Sequence, residues 1–246
     1  MYEVRFYRDE IENSNKKSFL VVYKETDIWV CVNKEKYTKE LEEFTFREVK
    51  QLRTELEKYI LKDPLYQTTF SPYTIGEQSP TIAKRMSEVA SIANVGPMAA
   101  VAGAFSEFIG KAIEKRFGLD EIIVENGGDI YVNSREDIII SIFAGYSPLS
   151  NKIKVLIKKD KLPLGICTSS GTVGHSFSYG KADAVVVICK DAALADSLAT
   201  ALCNKVKKEH DIELVLEESK KITEILGCLI ILKDKIGMQG CITLVN

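Results

Sequence analysis

The spacing of apolar and polar residues changes period several times along the chain. Phe19 to Tyr23 is a β-branched and aromatic run, and Asp27 to Val32 contains Ile-Trp-Val-Cys-Val. With the alternating stretch Tyr2 to Tyr7, they predict an antiparallel meander. Between Thr38 and Leu61 the period becomes helical: Leu41, Phe44, Val49, Leu52, Leu56, Tyr59 and Ile60 form a stripe that stops before Asp63-Pro64. Pro64, Pro72, Gly76 and Pro80 mark 64–79 as loop. Pro80 opens a short helix to about Ile92. After Gly96-Pro97, a second helix over 98–116 carries Met98, Val101, Phe105, Phe108, Ile109, Ala112 and Ile113 on one face and ends at Gly118. Strand patterns then follow at Ile122 to Glu125, Ile130 to Asn133, Ile138 to Ala144, Ile153 to Ile157, Leu164 to Thr168 and Ala182 to Cys189. Asp191 reads as the N-cap of a helix to about Val206, with a further helix near 216–225 and two closing strands in 228–245. Grouped strands and grouped helices predict an α+β fold, a largely antiparallel sheet with packed helices. The chain, 1–246, reads as one domain in which 1–65 is an integrated subregion.

Composition narrows the function classes. With 33 basic against 35 acidic side chains, the short cluster Lys205, Lys207, Lys208 cannot track a phosphate backbone, which excludes nucleic acid as a partner. The longest apolar runs, such as Ala184 to Cys189 and Cys228 to Leu232, fall far short of the ~20 residues of a membrane span. The alternating start Met1-Tyr2-Glu3-Val4-Arg5 has no signal-peptide core, so the expected location is cytoplasmic. Cysteines at 31, 167, 189, 203, 228 and 241 form no CxxC pair and favour reduced, packed thiols.

Several segments carry candidate chemistry. In Glu125-Asn126-Gly127-Gly128-Asp129 the glycines allow positive φ and close backbone approach to a ligand, while Asp129 offers an acceptor. The same Asn-Gly signal marks a plain hairpin. Thr168-Ser169-Ser170-Gly171-Thr172-Val173-Gly174-His175 ends a strand with hydroxyls suited to an anion and a histidine able to move a proton. It is equally a polar loop capping its own backbone. His210 reads as a surface residue. Asp196 and Thr200, spaced i,i+4, place two hard oxygens on one helical face, a magnesium half-site beside a phosphate, or else Asp196 serves the helix dipole. Gly96 precedes a small-residue helix start, open to an anion or to tight packing. Cys167, eight residues before His175, is a candidate nucleophile or persulfide carrier.

Taken in order, the small-residue helix, Gly127-Gly128-Asp129, Thr168-Ser169-Ser170-Gly171 leading to His175, and Ala195-Asp196-Ser197-Leu198-Ala199-Thr200-Ala201 resemble the ApbE-like superfamily. Its best-known members are FAD:protein FMN transferases, and the resemblance covers roughly residues 80–205. It is closest to a short, functionally uncharacterised cytoplasmic branch. The resemblance implies FAD or FMN held at Gly127, Gly128 and Asp129, magnesium held by Asp196 with Thr200, and a protein acceptor; it leaves room for a homo-oligomer. Where those transferases have K-G-x-x-x-D, this chain has Ala102 at the lysine and Glu107 at the acid. Their H-I-x-D-P-x-T-G survives only as His175 followed by Ser-Phe-Ser-Tyr-Gly. The alternatives are an accessory protein of anaerobic sulfur or cofactor metabolism that uses Cys167, and a catalytically silent binding module.

Overall fold

The computed structural model describes residues 15–173 and 178–245. The strand expected over Tyr2 to Tyr7 and the residue His175 lie outside them. The elements are β1 (Lys16–Tyr23), β2 (Thr26–Asn33), α1 (Lys39–Lys62), α2 (Leu65–Thr68), α3 (Thr81–Ala93), α4 (Val101–Phe117), β3 (Ile122–Asn126), β4 (Asp129–Asn133), β5 (Ile138–Ser141), β6 (Lys154–Ile157), β7 (Leu164–Ser169), β8 (Ala184–Cys189), α5 (Ala192–Cys203), α6 (Asp211–Ser219), β9 (Ile225–Leu232), β10 (Lys235–Gly240) and β11 (Thr243–Val245). A 3-10 turn at Pro97–Ala100 leads into α4.

Eight strands form one sheet in the order β1-β2-β3-β4-β7-β8-β9-β10, and β11-β6-β5 form a second. Every strand pairing among the described residues is antiparallel. Side-chain alternation along β8 explains the layering. Val185, Val187 and Cys189 pack with helix residues such as Leu198, Ala104 and Met86. Ala184, Val186 and Ile188 pack with Val155 and Ile157 of the small sheet. A strand covered on both faces is apolar throughout, so β8 is a continuous apolar run. No single helix among the described residues is long and apolar enough to cross a membrane.

The helices follow their predicted signals closely. Thr38 caps α1 through Leu41 N (3.1 Å), Asp191 caps α5 through Leu194 N (2.8 Å), and Gly118 ends α4 at φ +63°. Several strand and helix ends fall a few residues inside their expected bounds, as α5 ends at Cys203 and β5 at Ser141, and three segments differ more. The loop 64–79 contains α2, because Tyr66 is buried and donates its hydroxyl to the Ala83 carbonyl (2.9 Å). The helix expected near 216–225 is α6, shifted toward the N-terminus: Asp211 accepts from the backbone N–H groups of Lys207 (2.9 Å) and Lys208 (3.0 Å) and fixes its start. Residues 225–245 make three strands, not two, with Gly240 at φ +76° turning the chain between sheets.

Candidate functional site

The β3–β4 hairpin places the first acid. Asn126 pairs with Asp129 across a two-residue turn, and Gly127 and Gly128 have φ +68° and +101°, the positive values such a tight turn requires. The motif forms a two-residue hairpin turn. Glu125 accepts from Gly128 N (2.7 Å) across the turn. A Cβ on Gly128 would find nothing nearer than Thr168 Cβ at 3.9 Å, so the space above the turn is open. Asp129, 6% exposed, points back toward β7 and accepts from Thr168 N (3.3 Å).

Helices α4 and α5 place the second acid. A Cβ on Gly103 would lie 2.3 Å from the Ala192 carbonyl oxygen and 2.7 Å from Asp196 Cβ, so glycine sets their closest approach. Asp196, 8% exposed, accepts from Gly103 N (2.8 Å) through Oδ2 and from the Ala102 N–H. Burial pushes the Asp196 carboxyl up to about 7, against the pull of those two N–H groups. Burial, and then the neighbouring Asp196 charge, holds Asp129 well above the usual carboxylate range. Among the described residues, neither acid has an ion pair with Lys or Arg. Thr200, half-buried, follows Asp196 by one turn on the same face of α5.

Cys167 lies beneath both acids. It has no exposed surface, its thiol donates to the Ala192 carbonyl (3.2 Å), and burial with the charges of Asp129 and Asp196 raises its pKa well above a free thiol's. Burial and a raised pKa suit a packed thiol rather than an attacking one. The loop after β7 serves largely its own structure: Ser170 Oγ accepts from Thr172 N (3.1 Å) and Val173 N (3.0 Å). A Cβ on Gly171 would meet the Gly180 carbonyl oxygen at 2.2 Å, while Ser169 is buried at the end of β7. Gly96 is required by the close passage of Thr69, whose carbonyl oxygen would lie 2.0 Å from a Cβ there. His210 is exposed beside Asp211 (3.1 Å). Two open surface grooves, between α6 and β10 and between β1 and α1, are not lined by Asp129, Asp196 or Thr200.

Two further acids belong to this neighbourhood, Glu125 and Glu107, the second aligned with the acid of the K-G-x-x-x-D segment but given no role by the sequence. Glu125 braces the turn. Glu107, 3% exposed, accepts from Ala192 N (2.9 Å) and Ala193 N (3.2 Å). The signal for Glu107 was present in the sequence: an acid spaced i+4 from Gly103 and three before Gly110, at the position where the resemblance places the acid of K-G-x-x-x-D.

A family profile described as AbpE bacteria matches residues 9–224. The chain is 40% identical over 225 residues to the UPF0280 protein of Methanocaldococcus jannaschii, covering 89% of each. It is 41% identical over 221 residues to the UPF0280 protein of Methanococcus vannielii, covering 88% of this chain and 87% of that one. Among solved structures, the flavinyl transferase ApbE of Pseudomonas stutzeri in its apo form is similar in fold, with a TM-score of 0.58, 15% identity, and coverage of 91% of this chain and 93% of that one. The ApbE protein of Thermotoga maritima is similar at a TM-score of 0.57 and 13% identity, with 90% and 96% covered.

Proposed function

Since the chain belongs to the AbpE bacteria family and has the ApbE fold, we propose that it binds a flavin nucleotide, FAD or FMN, together with Mg²⁺ where the β3–β4 turn meets the α4–α5 contact. The observation that carries this reading is the pair Asp129 and Asp196, two buried acids on separate elements with raised pKa values and, among the described residues, no Lys or Arg ion-paired to them. Their ionised forms are costly as they stand, and a dication relieves that cost.

The donor set fits magnesium. Asp196, Thr200 and Asp129 offer hard oxygens, and Mg²⁺ keeps several waters while taking few protein ligands beside substrate phosphates. No group of three or more His, Cys, Asp or Glu able to hold a metal occurs among the described residues, so the ligand's own phosphates would complete the shell. When bound, the ion neutralises phosphate charge. In this reading Gly127 and Gly128 admit the nucleotide to the backbone, and Ser169 closes the edge of the site at the end of β7. Ala102 supplies no positive charge where the resemblance expects lysine, and this favours binding over transfer.

The test is to mix the purified protein with FAD in Mg²⁺ or in chelator and measure flavin retained after gel filtration. Retention in Mg²⁺ alone, lost in Asp196→Asn, is the expected result. Equal retention in both conditions, or none, would sink the reading. Flavin that survives denaturation, with AMP released, would extend it to FMN transfer onto a protein acceptor.

A further inference from the structure

The N-termini of α4 and α5 are capped by each other's acids. The first turn of α5 has every early N–H accounted for. Ala192 and Ala193 donate to Glu107 Oε2 at 2.9 and 3.2 Å, Leu194 donates to the Asp191 side chain at 2.8 Å, and Ala195 donates to the Asp191 carbonyl at 3.0 Å. Helix α4 has no capping side chain of its own, since Ala100 stands at its N-cap. Its Gly103 N–H instead donates to Asp196, a residue of α5. Each helix therefore carries the carboxylate that satisfies the other's free N–H groups.

The exchange has a geometric condition. Glu107 reaches Ala192 and Asp196 reaches Gly103 only at the contact distance that the missing Cβ of Gly103 permits. Glu107 is nearly fully buried and is held from outside by Lys111, one turn along α4. Asp196 is committed to the α4 N-terminus, its Oδ2 accepting from Gly103 N and its carboxyl also accepting from the Ala102 N–H.

We infer that Glu107 is a positioning residue for Asp196: by gripping the first turn of α5 it fixes that helix against α4, and so fixes the Asp196 carboxyl at the metal position. The metal arm of this inference rests on the flavin-nucleotide reading above. The capping arm does not. An outer partner of a metal ligand acts in this way when it holds the ligand's orientation, and its loss typically costs 10–100-fold in metal affinity.

The test compares the full-length protein with Glu107→Gln, which keeps an acceptor oxygen, and Glu107→Ala, which removes it. Two quantities are read: the Mg²⁺ concentration giving half-maximal FAD retention, and amide hydrogen exchange at Gly103, Ala192 and Ala193 without ligand. In Glu107→Ala the Mg²⁺ requirement is expected to rise about tenfold or more, with Glu107→Gln between it and wild type. Exchange is expected to quicken at Gly103 on the other helix as well as at Ala192 and Ala193. A role confined to folding would lower thermal stability without moving the Mg²⁺ requirement in the folded fraction. If both variants keep the wild-type Mg²⁺ requirement, or if faster exchange stops at Ala192 and Ala193, the inference fails. If Glu107→Ala does not fold, Glu107→Gln decides on both readouts. If the wild type retains no FAD, the flavin reading fails by itself, and exchange at Gly103 still decides whether Glu107 positions Asp196.

Discussion

Asp129 and Asp196 sit where a carboxylate is hardest to ionise: nearly covered, close to one another and above a buried thiol. Both carboxyls are raised by burial, Asp196 to about 7, whereas an unfolded Asp titrates near ~3.9. Between those values the folded protein binds more protons than the unfolded chain, so stability is greatest at low pH and falls as pH rises toward 7. The melting temperature in chelator is therefore expected to decline from pH 5 to pH 8. Asp196→Asn should flatten that decline, because an amide does not titrate. Adding Mg²⁺ with FAD should restore stability at pH 8 more than at pH 5. A melting temperature that instead rises over this range would show that neither acid is protonated in the fold.

At the scale of elements, the contact between α4 and α5 has almost no tolerance. Gly103→Ala must drive a methyl group into the Ala192 carbonyl and Asp196 Cβ, and the helices can yield only by separating and loosening both cross-caps. Overpacking of this kind costs about 1–3 kcal/mol, and a lost cap adds about 1 kcal/mol. Urea unfolding of Gly103→Ala should accordingly show a loss of about 2–4 kcal/mol, together with weakened Mg²⁺-dependent FAD retention. Gly76 is the control. Nothing lies within 4 Å of a Cβ there, its φ is not in the left-handed region, and Gly76→Ala should stay within about 0.5 kcal/mol of wild type.

Across the whole molecule, the eight-stranded sheet is covered by helices on one face and by the three-stranded sheet on the other, with apolar clusters on both sides. This burial explains the cysteines. None of the six forms a disulfide: Cys31, Cys167, Cys189, Cys203 and Cys228 are buried, and Cys241 is exposed. Burial raises the pKa of Cys189, Cys203 and Cys228 as well as that of Cys167. A thiol reagent at neutral pH is expected to label one cysteine quickly in the native protein and all six after unfolding without reductant. Rapid native labelling at Cys167 would reopen the sulfur chemistry that its burial argues against, and fewer than six thiols after unfolding would reveal a disulfide.

Local pattern alone determined most of the elements, because caps, glycine stops and side-chain periods are short-range physics: Thr38, Asp191 and Gly118 mark helix ends in the sequence and do so in the structure. The antiparallel α+β class followed from the same patterns, and the order of the motifs pointed to the ApbE-like superfamily. Two kinds of feature needed the tertiary structure. Where a local signal was weak, distant contacts set the boundary, as Tyr66 does by burying α2 against Ala83. The site itself depends on residues far apart in sequence: Asp129 and Asp196 meet only because α5 packs on α4 and β7, and Glu107 reaches Ala192 across 85 positions. The sequence marks Glu107 as an acid one turn from Gly103, but only the packing of one helix on another decides whether such an acid is a buried cost or, as here, the cap of its neighbour.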